Sequence, residues 1–355
     1  LSLPHLGCNK YLPVKFAGRL IAWQRRHGRH DLPWQQTKDP YRVWLSEIML
    51  QQTQVITVIP YYERFLARFP TLSALAVAPV ESVMALWSGL GYYARARNLH
   101  KCAQLLVTQH HGEFPRDPAA IAALPGIGRS TANAIAVFCC GAREPILDGN
   151  VKRLLCRFLG VEGFPAAAAV ESRLWQDGTA LLPKQNVATY IQAQMDLGAT
   201  ICTRSKPRCA ECPVADLCVA YREGRTAELP MPRPKKTLPE RSVTLLVLRK
   251  GKRIALEQRP PAGIWGGLLS LPELPENSDA VSHCEQRLGI HIGAVLPGPT
   301  FTHGFTHLRL QILPLLCEVA GVTRLAEPGL RWLDQAELAQ AALPAPIRKL
   351  LSAIP

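Results

Sequence analysis

Apolar side chains in the first two thirds of the chain recur every three to four positions. Tyr41–Phe69, Ala74–Leu86, Ala94–His110 and Val170–Leu182 carry that spacing, with Pro and Gly between them, and it predicts helices. No run of alternating β-branched residues appears before residue 240. The stretch Leu229–Glu240 (LPMPRPKKTLPE) has four prolines and clustered lysines, which predicts an extended, semi-rigid basic linker. Beyond it the texture changes. Ser242–Leu248, Arg253–Glu257 and Leu308–Leu316 read as strands, and Trp265–Gly267 reads as a turn. The pattern predicts an all-α domain over residues 1–228, a linker over 229–240 and a smaller α+β domain over 241–355. There is no internal repeat.

Length agrees with that division, since 355 residues exceed what one core comfortably organises. A hydrophobic content of 48% excludes a disordered chain, and no apolar run approaches the ~18 residues of a membrane span. The first ten residues lack the layout of a secretory signal, so the expectation is a soluble protein of a reducing, cytoplasmic compartment. Charge adds a partner. The formal charge is +14, and residues 1–240 hold 29 basic against 18 acidic side chains, a net +11. That field suits a phosphate backbone; a basic surface kept for solubility is the plainer reading.

Three features carry candidate chemistry. Asp117-Pro118 caps and opens a helix that ends at Leu124-Pro125-Gly126-Ile127-Gly128, and a second helix follows through Ser130–Val137. Gly126 and Gly128 would expose backbone N–H groups to an anion, while Ile127 packs the hairpin of about residues 117–137 together. A Gly-x-Gly turn by itself often does no more than join helices.

Two carboxylates follow. Glu47 stands in the apolar run Trp44–Leu50, where partial desolvation favours its protonated form. Asp148 stands at the start of the basic helix Val151–Leu159, where free N–H groups should favour its ionised form. Such a division suits glycoside hydrolysis through an oxocarbenium-like state. A buried structural Glu and a plain capping Asp are the alternatives.

The third feature is Cys202-x6-Cys209-x2-Cys212-x5-Cys218, a compact thiol set with one C-x-x-C. Structural zinc usually pairs two such knuckles, whereas iron–sulfur clusters take four thiolates from one wrapped segment. Zinc and unmetallated cysteines remain the alternatives.

The hairpin, the Pro145–Asn150 loop and its aspartate resemble the endonuclease III superfamily of DNA glycosylases. More specifically, Leu32-Pro33-Trp34, Trp44–Val55 (WLSEIMLQQTQV), Gly89–Lys101 (GLGYYARARNLHK), Leu124–Thr131 (LPGIGRST) and Ile146–Arg153 (ILDGNVKR) closely resemble the MutY-type adenine glycosylases. The resemblance spans roughly residues 16–350.

It implies that Glu47 protonates adenine at N7 and serves the incoming water. Asp148 would stabilise the sugar cation, and Asn150 would orient these groups. Trp34, Gln192 and Ser130 would border the substrate. Gln51, Gln52 and Tyr92 would enter the base stack as the nucleotide is flipped out; Tyr92 as a plain core aromatic is the alternative. Lys152, Arg204 and Lys206 join the hairpin glycines as expected DNA contacts. The four cysteines would hold a 4Fe–4S cluster in a structural, DNA-binding role, with no nucleotide cofactor.

Bifunctional relatives resembling endonuclease III carry Lys where this chain has Ser130, which implies a monofunctional enzyme. Arg259-Pro260-Pro261 and Trp265-Gly266-Gly267 resemble the Nudix-like (MutT-like) domain of the same family. The helix expected at Ala280–Gly289 offers only Glu285, too few carboxylates for a Nudix hydrolase. Phe305-Thr306-His307 stands where the family reads 8-oxoguanine with Phe-Ser-His. The expected partner is double-stranded DNA with adenine opposite 8-oxoguanine or guanine, met by a monomer without a membrane, DNA-associated in a bacterial cytoplasm. A related mismatch or oxidised-pyrimidine glycosylase and a non-catalytic iron–sulfur DNA-binding protein are the alternatives.

Overall fold

The computed structural model describes residues 12–234, 237–260, 263–305, 307–322 and 329–354. Lys235 and Lys236 of the expected linker, Pro261 and Thr306 therefore lie outside the described residues, as do residues 1–11. Among those described, every element before Glu240 is helical.

The long pattern at Tyr41–Phe69 is two helices, Pro40–Leu50 and Val55–Arg68, where one was expected. Apolar periodicity runs straight across the break, but Gln52 takes a left-handed φ of 57° that no helix accommodates. Likewise Ala74–Leu86 divides into Leu72–Ala76 and Val80–Trp87, with Pro79 capping the second. The expected helices at Ala94–His110 and Val170–Leu182 are Ala94–Gln109 and Ala168–Ala180. Among the helices that had not been anticipated, Leu12–His27 and Val187–Thr200 matter most for the site. They pack together, and Phe16, Leu20, Tyr190, Ile191 and Leu197 join Leu154, Leu155 and Phe158 in one core.

The chain forms two compact units. The described residues of Leu1–Ala76 and Lys101–Lys235 make up one; those of Val77–His100 and Lys236–Pro355 make up the other. The second unit thus includes a piece of the helical stretch. Within it, Arg348 donates to the Ser88 hydroxyl at 3.2 Å, Tyr93 donates to the Leu343 carbonyl at 3.4 Å, and Arg97 donates to the Gly266 carbonyl.

The rest of that unit is built on a mixed sheet of β1 (Glu240–Lys250), β2 (Arg253–Gln258), β3 (Leu269–Ser270), β4 (Glu273–Leu274), β5 (Ile290–Pro297), β6 (Phe301–Gly304), β7 (Arg309–Val322) and β8 (Leu330–Leu333). Its main path runs β3-β2-β1-β7-β5, and among the described residues only β1 and β7 pair in parallel, from Glu240 opposite Arg309 to Arg249 opposite Glu318. Alternation along β1 explains why both faces are covered. Val243, Leu245 and Val247 pack under the helix Ala345–Ala353, while Leu246 and Leu248 pack with Ala280, Cys284 and Leu288. The fold is the expected helical part followed by an α+β domain.

Candidate active site

Asp39 caps the helix Pro40–Leu50 by accepting from the Tyr41 N–H at 2.9 Å, and Pro40 occupies its first position. Two turns on, this helix presents Glu47 to a cavity of about 350 Å³ that is also lined by Trp34, Leu50, Phe138, Gln192 and Met195. Burial pushes the Glu47 carboxyl up to about 8, and the charge of Asp148 adds to that. Trp34 is held edge-on against Tyr62, with centroids 5.4 Å apart.

Asp148 caps the helix Gly149–Leu159, and its Oδ1 accepts from the Val151 N–H at 2.7 Å. Here the electrostatic expectation needs correcting. Burial raises the Asp148 carboxyl above its ordinary value, and the N–H groups of Val151 and Asn150 with Arg153 and Lys152 only offset this. The two carboxylates still differ, because those compensating groups serve Asp148 whereas burial and the Asp148 charge both push Glu47 upward. Asp148 is therefore the member of the pair better supplied with groups that stabilise a negative charge, and Glu47 the one that holds its proton into the neutral range.

Asn150 is fixed from two sides. Its Oδ1 accepts from Arg153 at 2.8 Å, and Arg153 also donates to the Gly198 carbonyl at 2.6 Å and the Cys202 carbonyl at 2.8 Å. The helix Val187–Thr200 approaches closely at Gly198, where an added Cβ would lie 2.6 Å from the Asn150 Cβ.

Ser130 and Lys152 depart from expectation. Ser130 does not line the cavity; its hydroxyl accepts from the Leu147 N–H at 3.0 Å and so pins the loop before Asp148. The Lys152 ammonium is tied to Glu171 at 2.7 Å rather than offered to DNA, a pairing across nineteen positions that local sequence does not announce.

The hairpin matches its pattern. Asp117 caps Pro118–Ala122, Gly126 takes φ 77°, and Gly128 caps Arg129–Cys140 with open space where a Cβ would stand. Gln51 is half-buried with its amide 3.5 Å from the Thr131 hydroxyl, while Gln52 is exposed. Tyr92 is 46% exposed, which excludes a plain core aromatic, and its φ is 49°. Arg204 and Lys206 are exposed. Phe305 packs near Trp265, His303 and His307, and His307 is exposed. The single carboxylate at Glu285 is engaged by His291 at 2.9 Å.

Cys202, Cys209, Cys212 and Cys218 line one small apolar pocket with Leu154, Phe158 and Val214. Among the described residues no group of three or more His, Cys, Asp or Glu is arranged to hold a single metal ion. Buried Arg157 braces the loop, donating to the Thr203 and Arg204 carbonyls at 2.7 and 3.0 Å and approaching the Cys202 sulfur at 3.4 Å. The thiols and their neighbouring cation fit an anionic iron–sulfur cluster, which the four cysteines would hold beside Arg157 of the helix Gly149–Leu159.

Sequence reading missed Arg29, Lys38, Phe138 and Met195 on the cavity and Asp196 beneath it. Only Asp196 had a local signal, since it follows Gln192 by one helical turn.

Three family models match the chain. Residues 45–178 fit the HhH-GPD superfamily of base excision DNA repair proteins, 202–218 the iron–sulfur binding domain of endonuclease III, and 243–353 the NUDIX domain. A thermostable thymine-DNA glycosylase of known structure superposes with a TM-score of 0.55 at 26% identity, covering 59% of this chain and 97% of its own. Fold and site together define a helix-hairpin-helix base-excision DNA glycosylase with an iron–sulfur domain. The adenine DNA glycosylase of Buchnera aphidicola from Acyrthosiphon pisum is 36% identical across 95% of this chain and 96% of its own. The adenine DNA glycosylase of Homo sapiens is 32% identical across 94% of this chain and 73% of its own. The chain belongs to the adenine DNA glycosylase family. No helix among the described residues is long and apolar enough to cross a membrane.

Proposed function

We propose that this chain hydrolyses the N-glycosidic bond of adenine in duplex DNA opposite 8-oxoguanine, and more weakly opposite guanine. The observation that carries the reading is Glu47, a carboxyl pushed up to about 8 on a base-sized cavity shared with Trp34 and Gln192. A group with that value is still largely protonated at neutral pH and can donate to N7 of a flipped adenine. Loss of the base then leaves a cationic sugar. Asp148, beside Glu47 and supplied with N–H donors, stabilises that charge, and Glu47, now a base, activates the water. Asn150, held by Arg153, is the positioning residue for these groups.

The reaction stops at base release. Ser130 supplies a hydroxyl rather than an amine, and the Lys152 ammonium is engaged by Glu171. Gln52 and Tyr92, exposed and in left-handed backbone, are the residues for entering the stack, with Gln51 behind Gln52. Exposed backbone at Gly126 and Gly128 supports phosphate binding, and exposed Arg204 and Lys206 support contact with the DNA backbone. In the Nudix-like domain, Phe305 and His307 flank Thr306 in the loop assigned to the opposite base. The reading takes the chain to act as a monomer on DNA in the cytoplasm.

The test is a set of duplexes carrying A opposite 8-oxoguanine, A opposite G, T opposite G and oxidised thymine, with abasic sites revealed by alkali. The reading expects release from the first, weaker release from the second and none from the others. Absence of adenine release from the first contradicts it.

A further inference from the structure

Asp196 is fully buried next to the candidate base cavity, on the helix Val187–Thr200 that also carries Gln192. Its carboxylate receives three donors. The Arg29 backbone N–H donates to Oδ2 at 3.0 Å, the Arg29 side-chain Nε to Oδ1 at 2.8 Å, and the Gln192 amide Nε2 to Oδ1 at 2.9 Å. Both carboxylate oxygens therefore hold donors, and a carboxylate has none to give.

This has a consequence for Gln192, whose amide offers a donor at one end and an acceptor at the other. With Asp196 present, the NH₂ end must turn toward the carboxylate, because the reverse arrangement would oppose two acceptors in a buried site. Gln192 also lines the cavity, so the end left for a ligand is the carbonyl Oε1. Arg29 holds Asp196 through backbone and side chain, so the carboxylate itself does not turn.

We propose that Asp196 is a specificity-determining positioning residue: by fixing the polarity of the Gln192 amide, it makes the cavity accept a 6-aminopurine and refuse a 6-oxopurine. The inference rests on the adenine reading above. An acceptor aimed at the 6-position bonds the exocyclic amine of adenine. Against the 6-oxo group of hypoxanthine or guanine it sets oxygen against oxygen. Unsubstituted purine, with hydrogen at that position, neither gains nor loses the contact.

The experiment is single-turnover excision by the cluster-loaded full chain on duplexes carrying adenine, purine or hypoxanthine opposite 8-oxoguanine. It compares wild type, Asp196→Asn and the double variant Asp196→Asn/Gln192→Glu. Wild type should release hypoxanthine at least about tenfold more slowly than adenine, the scale of one hydrogen bond. In Asp196→Asn the amide can turn, so the adenine rate should fall about tenfold relative to the purine rate while hypoxanthine gains on adenine. In the double variant the new amide at 196 donates to the new carboxylate at 192, and the adenine-to-purine ratio should recover.

Equal loss on all three bases in Asp196→Asn, or no recovery in the double variant, would overturn the proposal and leave Asp196 a structural residue. Should the variants fail to retain fold and cluster, the wild-type comparison still decides, because hypoxanthine released as fast as adenine contradicts the assigned polarity. A wild type that releases no adenine would instead sink the underlying function.

Discussion

On the proposed mechanism Glu47 and Asp148 set the pH behaviour of the site. Glu47 must be protonated to donate, so kcat/KM for adenine release should fall as pH rises through about 8, the value to which burial and Asp148 push it. A pH–rate profile with no alkaline limb in that region would contradict the assignment. Stability gives an independent check with a definite sign. Between the ordinary carboxylate range and about 8 the folded state keeps a proton on Glu47 that the unfolded chain has lost, so its contribution declines as pH rises through that window. Glu47→Gln removes the liability and should raise stability at pH 8 by about 1–3 kcal/mol, with little gain at pH 4, measured by thermal melting. Much of this was legible: apolar neighbours from Trp44 to Leu50 announce a desolvated Glu47. The upward push on Asp148 was not, because its burial comes from elements far away in sequence, as does the Glu171 carboxylate that engages Lys152.

At the scale of elements, helix ends were read from capping residues and helix breaks were missed. Asp117-Pro118 and the hairpin glycines mark their turn chemically, so the hairpin could be placed to within a few residues. The break at Gln51–Gln54 carries no Pro or Gly, and only the left-handed Gln52 reveals it. Nor does periodicity show where two helices touch. Gly198 permits the approach of the helix Val187–Thr200 to the start of Gly149–Leu159, and a Cβ there would press on both the side chain and backbone of Asn150. Gly198→Ala should therefore cost about 1–3 kcal/mol in stability and lower the excision rate more than it lowers duplex affinity, since Asn150 would be displaced. Unchanged single-turnover kinetics would show that the position of Asn150 does not matter. The Cys202–Cys218 loop hangs on Arg157 and Arg153, both on the Asp148 helix. Serine in place of Cys212 should remove the broad visible absorption of an iron–sulfur protein, and a fully coloured variant would exclude Cys212 as a ligand.

For the whole molecule, net charge pointed to a polyanion, and the helical portion with its net +11 carries most of that field. Duplex binding should accordingly weaken steeply with salt. Arg204→Ala and Lys206→Ala should each flatten the log–log slope by about one without altering preference for the opposite base, as phosphate contacts do. A changed base preference would mean that this loop reads sequence. The division of the chain was only partly visible beforehand. The linker is marked by its prolines, but the grouping of Val77–His100 with the Nudix-like domain rests on tertiary contacts such as Arg348 with Ser88, which leave no periodic trace. On the proposed mechanism all of these parts serve one chemical event, proton donation by Glu47 to the departing base. The most direct measurement is single-turnover adenine release from an A:8-oxoguanine duplex by wild type and Glu47→Gln, with duplex affinity measured alongside. Rapid release by wild type and loss of release by Glu47→Gln at unchanged affinity is the predicted result; substantial excision by Glu47→Gln would contradict it.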